Sequence, residues 1–371
     1  MSRWLTEAEI GPFAPSNAPK HQQSIQKILD AAGDGPVLFR FLPGDYHLPD
    51  PAGLRVPPHA TLVMTGARFH LAREMAEDGQ VFLLDGVSDV AFQDGEIFGQ
   101  RDNWDPGVNI AGIRMRGAVS DIRVHGMRFR DLSSNAIGIF ASSKDDPARD
   151  IIIRGIRADN CCNYYGDYLQ PDSGPAPGSQ REDQGSIAMY YVDGWLVESC
   201  QLGGSQSDGT HFCHCRNGLF VNNVVADSRM GGYFLEDCEH VVGSGNLIRG
   251  NGSRGVTIER DSAHCILQNN IITYSGREGL WAPDVENILV TGNVFRMNGR
   301  KDDRARDCEI RLDDTEQYAT QTRAIRISGN TIHVESHQTA AIYISDGVQA
   351  DIEGNTIIGP APAVYKADNG G

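Results

Sequence analysis

Gly209-Thr210-His211-Phe212-Cys213, followed after a few polar residues by Leu219-Phe220-Val221-Asn222-Asn223-Val224-Val225, is a pattern that the chain repeats. The later copies run Gly232-Tyr233-Phe234-Leu235-Glu236 to Gly245-Asn246-Leu247-Ile248, Gly255-Val256-Thr257-Ile258-Glu259 to Asn269-Asn270-Ile271-Ile272, and Gly279-Leu280-Trp281 to Gly292-Asn293-Val294-Phe295. Asn223, Asn246, Asn270 and Asn293 are separated by 23, 24 and 23 residues. A period of that length, with short strands of alternating polarity, predicts the coils of an all-β solenoid, a single-stranded parallel β-helix. One coil cannot bury its own apolar face, whereas stacked coils can. The turn asparagine suits a ladder: it tolerates a left-handed backbone, and its amide reaches the next rung about 4.8 Å away.

Outward from this stretch the frame persists. Gly329-Asn330-Thr331-Ile332 and Gly354-Asn355-Thr356-Ile357 continue it downstream. Upstream the asparagine is lost, but Val63-Met64-Thr65-Gly66, Val90 to Gly95, Ile122 to Gly126, Ile151 to Gly155 and Leu196 to Cys200 keep the strand-then-turn order. The expectation is about eleven coils. A solenoid grows by stacking, so 371 residues fit one domain: a cap over 1–60 and the β-helix over 61–371, with excursions at 161–184 and 296–321.

Composition narrows the function. A net charge of −16 works against nucleic-acid binding, though a local basic patch can override it. No apolar run is long enough to span a membrane. Met1 to Glu7 lacks the basic start and apolar core of a signal peptide, so the chain as given reads as cytoplasmic, or as a mature secreted or periplasmic form whose leader was removed. The eight cysteines lack metal-ligand spacing; no metal site and no disulfide framework are expected, and Cys215 and Cys238 should stack as small buried residues.

Residues 24–33, Ser24 to Gly33, have apolar side chains at helical spacing and a terminal glycine, which predicts a capping helix. Val37 to Tyr46, containing Pro43-Gly44-Asp45-Tyr46, then reads as a strand and a turn. This order of helix, apolar strand, Pro-Gly-Asp-Tyr turn and β-helix coils resembles the start of many proteins of the pectate-lyase-like right-handed parallel β-helix superfamily. The resemblance implies a carbohydrate-active protein, but the superfamily includes hydrolases, lyases, transferases, uronan epimerases, tailspikes and adhesins.

Strand register locates the site. Thr210, Phe212, Tyr233, Leu235, Val256, Ile258 and Leu280 should face inward, which leaves His211, Cys213, Phe234, Glu236, Thr257, Glu259 and Trp281 projecting from the outer wall in columns. Tyr190, Arg114 and Arg116 extend this ribbon upstream. Aromatic rings beside carboxylates and a histidine suit a poly- or oligosaccharide, whose rings stack on aromatic faces. The excursions, one carrying Tyr164, Tyr165 and Asp167, should build cleft walls.

Glu236 and Glu259 at equivalent places one rung apart should repel, raising one pKa and leaving an acid beside a base. Glycoside cleavage uses that division, and a separation of about 5 Å suits a retaining or transglycosylating mechanism. A hydrolase or transglycosylase with catalytic Glu236, Glu259, His211, Asp208 and Tyr190 is therefore favoured, with Arg114, Arg116, Phe234, Trp281, Tyr164, Tyr165 and Asp167 binding substrate. Asp208 enters because Asp208-Gly209 is similar to a motif of polygalacturonase-type hydrolases; Gly231-Gly232 stands where that family's paired aspartates would be, so nothing further carries over. The alternative is a lyase or uronan epimerase using Tyr190 and His211 as acid and base and Arg114 or Arg116 on the substrate carboxylate. A second alternative is a non-catalytic carbohydrate-binding or tailspike-like protein. No cofactor is expected, with calcium on Glu236, Glu259 and Asp208 left open. The C-terminal coil shows no helical cap, so a folded-back loop or another subunit, as in a trimer, should cover it.

Overall fold

The computed structural model describes residues 6–33, 35–105, 107–163, 184–300, 307–315 and 317–367. Among them no helix is long and apolar enough to cross a membrane. Two compact units, Met1–Leu196 and Val197–Gly371, are described in turn.

Among the described residues of the first unit the strands of successive coils pair in parallel. One face stacks Thr6–Ile10, Val37–Phe41, Ala60–Val63, Ser88–Gln93, Ser120–His125 and Ala148–Arg154. A second stacks Leu54–Arg55, Gly79–Asp85, Ile110–Arg116, Ile137–Phe140 and Ile187–Tyr190. The third runs from Gly44–Leu48 to Arg157–Asp159. Alternation sends every second side chain into the coil, so Phe41, Tyr46, Phe69, Phe82 and Phe92 form a buried aromatic stack with neighbouring centroids 5.2 to 5.4 Å apart.

The capping helix spans His21–Asp30, starting and ending three residues earlier than its sequence signals, and the following segment forms two strands, Val37–Phe41 and Gly44–Leu48. Ile25 and Leu29, four apart, are buried, while Gln22 and Gln26 donate amides to the carbonyls of Asp50, Gly53 and Arg55. The helix thus satisfies backbone groups of the first coil that no preceding coil can reach.

The second unit repeats the pattern more regularly. Its faces stack Arg216–Val221 to Ala350–Glu353, Gln201–Gly203 to Thr356–Ile358, and Thr210–Cys213, Tyr233–Glu236, Val256–Glu259, Leu280–Pro283, Cys308–Asp313, Ala340–Ile344 and Val364–Lys366. The asparagine ladder is present: Asn223 donates its amide to Asn246 at 3.2 Å, Asn246 to Asn270 at 2.8 Å, Asn270 to Asn293 at 2.9 Å, and onward through Asn330 to Asn355. One detail of the expectation is corrected. The left-handed backbone belongs to the residue before each rung, Asn222, Gly245, Asn269, Gly292 and Gly329, which turns the chain so that the next asparagine can face inward.

The glycine that opens each copy has a different cause. A Cβ on Gly209, Gly232 or Gly255 would lie 2.6 to 2.8 Å from the carbonyl oxygen of the equivalent glycine in the next coil. Cys215, Cys238 and Cys265 are buried free thiols in this unit, each donating to a backbone carbonyl; the Cys215 and Cys238 pair stacks as expected.

Candidate active site

In the second unit the outer face of the Thr210–Cys213 sheet carries two columns. Register aligns Phe234 with Thr257, Trp281, Arg311 and Tyr343 in one, and Cys213 with Glu236 and Glu259 in the other, followed on the next coils by Pro283 and Asp313. The inward set, Phe212, Tyr233, Leu235, Val256, Ile258 and Leu280, is buried as the alternation requires. The outward set is less exposed than a solvated sheet face: His211, Cys213, Thr257 and Glu259 are buried too.

The cover comes from the turn after each strand and from an excursion. Arg260 follows Glu259 in the left-handed conformation, which breaks the alternation and keeps both side chains on the same side. Its guanidinium lies 2.6 Å from Glu236 Oε1 through Nη1 and 2.9 Å from Glu259 Oε1 through Nε. Beyond it the described part of the second excursion is pinned down: Thr315 donates its amide to Asp284 at 2.7 Å, and Thr320 donates to Asp261 at 3.1 Å. Tyr318, between them, places its ring centroid 5.7 Å from the Arg260 guanidinium.

These contacts set the two carboxylates apart. Burial pushes Glu236 up, but the His211 ring, 3.4 Å away, and Arg260 outweigh it and hold the carboxyl at about 2. Glu259 is more deeply buried, and its shared hold on Arg260 does not compensate; burial, with the charges of Glu236 and Asp208, raises it to about 7. Near neutrality one glutamate is ionised and the other half-protonated, one strand spacing away.

His211 stacks on Phe234 with centroids 4.7 Å apart, so its imidazole is fixed by a ring on one side and a carboxylate on the other. Asp208 is buried and accepts the Gly231 amide at 2.6 Å; its charge acts on Glu259. Trp281 is not an open sugar platform, because Arg254 covers its face with the guanidinium carbon 3.6 Å from the ring centroid. Its indole nitrogen donates to Asp313 Oδ2 at 2.6 Å.

The remaining expected residues divide. Tyr190 is buried on the outer face of the first unit, in one column with Phe140 and Arg116. Arg114 is buried and donates to Gln80 Oε1 at 2.9 Å and to the Asn109 carbonyl at 3.2 Å, so it serves the fold there. Tyr164, Tyr165 and Asp167 lie outside the described residues.

Sequence reasoning missed Arg260, Tyr318 and a cluster beside the pair: Arg254, Arg277, Glu278, Arg311 and Asp313. A signal existed. The residue before each opening glycine forms its own column, Asp208, Gly231, Arg254 and Glu278, just ahead of the strand in which side chains alternate.

Among the described residues metal ligation has one candidate on this floor, His211, Cys213 and Glu236, whose ligand atoms lie within 4.8 Å of one another. The donor set fits a cation poorly, since burial raises the Cys213 thiol far above its ordinary value and Arg260 already neutralises Glu236. Between Glu236 and Glu259 the same guanidinium stands where a calcium ion would bridge them.

Residues 185–357 match the family described as right handed beta helix region. No curated protein sequence matches the chain. Among solved structures the A-module of Azotobacter vinelandii mannuronan C-5 epimerase AlgE4 is similar over 94% of this chain and 96% of its own, with a TM-score of 0.69 and 18% identity. The Dettilon tailspike protein is similar over 98% of this chain and 68% of its own, at 0.61 and 14%. The periplasmic alginate epimerase AlgG is similar over 85% and 79%, at 0.56 and 11%. In fold the chain is a right-handed parallel β-helix protein.

Proposed function

We propose that the protein is a carbohydrate-active enzyme that cleaves or rearranges glycosidic bonds of a poly- or oligosaccharide, with Glu259 as acid and base and Glu236 as its ionised partner. The observation that carries this reading is the single guanidinium of Arg260 holding two carboxylates whose proton affinities differ widely. A carboxyl at about 7 can protonate a leaving oxygen and then accept a proton from water, while the ionised neighbour stabilises positive charge at the anomeric carbon or attacks it. One strand spacing between the two backbones suits the retaining or transglycosylating geometry. Tyr318 and Arg260 form the wall on one side, and His211 fixes Glu236. No step requires calcium.

A second reading is proton abstraction beside a uronate carboxylate, as in an epimerase or lyase. Two observations favour it: His211 is buried against Glu236, and the fold matches an epimerase module over nearly its whole length. The pH dependence of turnover separates the two. With Glu259 as acid, the rate should fall as pH rises through about 7, and Glu259→Gln should abolish both turnover and this limb. A Glu259→Gln enzyme that keeps turnover moves the chemistry to His211.

A further inference from the structure

Beside the carboxylate pair the outer columns continue into a set of charges that glycosidic chemistry does not use. Glu278, 4% exposed in its side chain, is shared by three guanidiniums: Arg254 Nε lies 3.2 Å and Arg277 Nε 3.4 Å from Oε2, and Arg311 Nη1 3.5 Å from Oε1. Arg311 also meets Asp313 Oδ2 at 2.7 Å, the oxygen that receives the Trp281 indole. Burial works against the charge of Arg311, but Asp313 and Glu278 outweigh it. Arg254 is the less compensated of the two. Burial, with Arg277 adding to it, lowers its pKa to about 10 even with Glu278 in contact.

The two arginines are held as a surface and not as fillers. Arg254 lies flat on Trp281, and Arg311 occupies the outer column one coil on, beside Tyr343 at 5.5 Å. Their side chains keep 15% and 16% exposure, enough for a ligand atom to reach them. Glu259 and Trp281 stand on successive coils, so the arginines sit within one or two strand spacings of the carboxylate pair. The Arg254 charge already acts on Glu259.

We propose that Arg254 and Arg311, flanking Trp281, form an oxyanion subsite, and that the substrate is an acidic saccharide whose carboxylate or sulfate binds there. The inference rests on the saccharide reading of the site but on neither choice of bond chemistry. The planar guanidinium matches a carboxylate or sulfate with paired hydrogen bonds, which a neutral hydroxyl cannot supply. The overall charge of −16 works against capture of a polyanion, so an acidic ligand gains from a local cluster of guanidiniums.

Calorimetric binding to the full chain carrying Glu259→Gln tests this without turnover. The probes are oligogalacturonate and oligomannuronate with their carboxyl-reduced counterparts, and chondroitin sulfate oligosaccharides with their desulfated forms. The expected result is that at least one acidic probe binds about tenfold or more tighter than its neutral counterpart, with the preference weakening in salt. Adding Arg254→Gln or Arg311→Gln should remove the preference. Arg254→Lys should retain part of it, since charge survives without the fork. Neutral probes that bind as well as acidic ones overturn the subsite and leave the saccharide reading standing. No binding by any probe removes both. An acidic preference that survives in both glutamine variants, with unfolding midpoints like the parent's, also overturns the assignment.

Discussion

Replacing Glu259 by glutamine should change how stability depends on pH, by an amount the site dictates. Glu259 titrates near 4.5 when unfolded and near 7 when folded, because its side chain is 5% exposed and feels the charges of Glu236 and Asp208. The folded state then binds more protons than the unfolded state between those values. With ν for bound protons, the slope of unfolding free energy with pH follows ν in the unfolded state minus ν in the native state, which is negative here. The contribution of Glu259 is full below about 4.5 and is lost as pH rises through 7. A difference of about 2.5 pKa units corresponds to about 3 kcal/mol. Glutamine keeps the shape and removes the titration. Urea unfolding of wild type and Glu259→Gln at about pH 5 and about pH 8.5 isolates the effect as a difference of differences. Buried Glu309, also raised to about 7 by burial, cancels because both proteins contain it. Wild type should lose about 2.5 kcal/mol more than the variant across this interval, most of the full amount. Equal losses would refute the raised pKa and with it the acid assigned to Glu259.

Glu236 should behave in the opposite sense. Its carboxyl is held at about 2, so its stabilisation is present above about 4.5 and is lost as pH falls toward 2; Glu236→Gln should flatten the acid limb of the stability profile. Asn246→Ala removes a side chain bonded to the Phe220 carbonyl, the Asn223 amide and Asn270, leaving buried groups unpaired; thermal or chemical unfolding should show a loss of about 2–4 kcal/mol. Gly232→Ala places a methyl group 2.6 Å from both the Gly255 carbonyl oxygen and Asn251 Nδ2, and should cost about 1–3 kcal/mol by the same assay.

The fold was legible because every coil is asked to meet the same contact. Gly232, Gly255 and the laddered asparagines recur at one period since each touches its own equivalent, and a repeated contact leaves a repeated letter. Glu236 and Glu259 were legible for the same reason: register alone pairs them. Arg260 was not, because its left-handed backbone suspends the alternation used to assign faces. Tyr318 was hidden differently, within an excursion whose placement depends on Asp261 and Asp284, in the turns after two earlier strands. For Trp281 the exposed aromatic expected from alternation is covered by Arg254, which reaches it from the turn before the preceding strand. Arg114 likewise points outward by register but is closed over by Gln80 and the Asn109 backbone. Alternation gives direction, and only packing says what lies in that direction.

The most direct measurement is product analysis on acidic and neutral oligosaccharides with wild type, Glu236→Gln and Glu259→Gln. Reducing ends and unsaturated uronates would be recorded together, and C5 configuration would be read by NMR. The account predicts new reducing ends or transferred glycosyl units from wild type, without unsaturated or C5-inverted products, and loss of both in each glutamine variant. Unsaturated or inverted products that persist in both variants would contradict it.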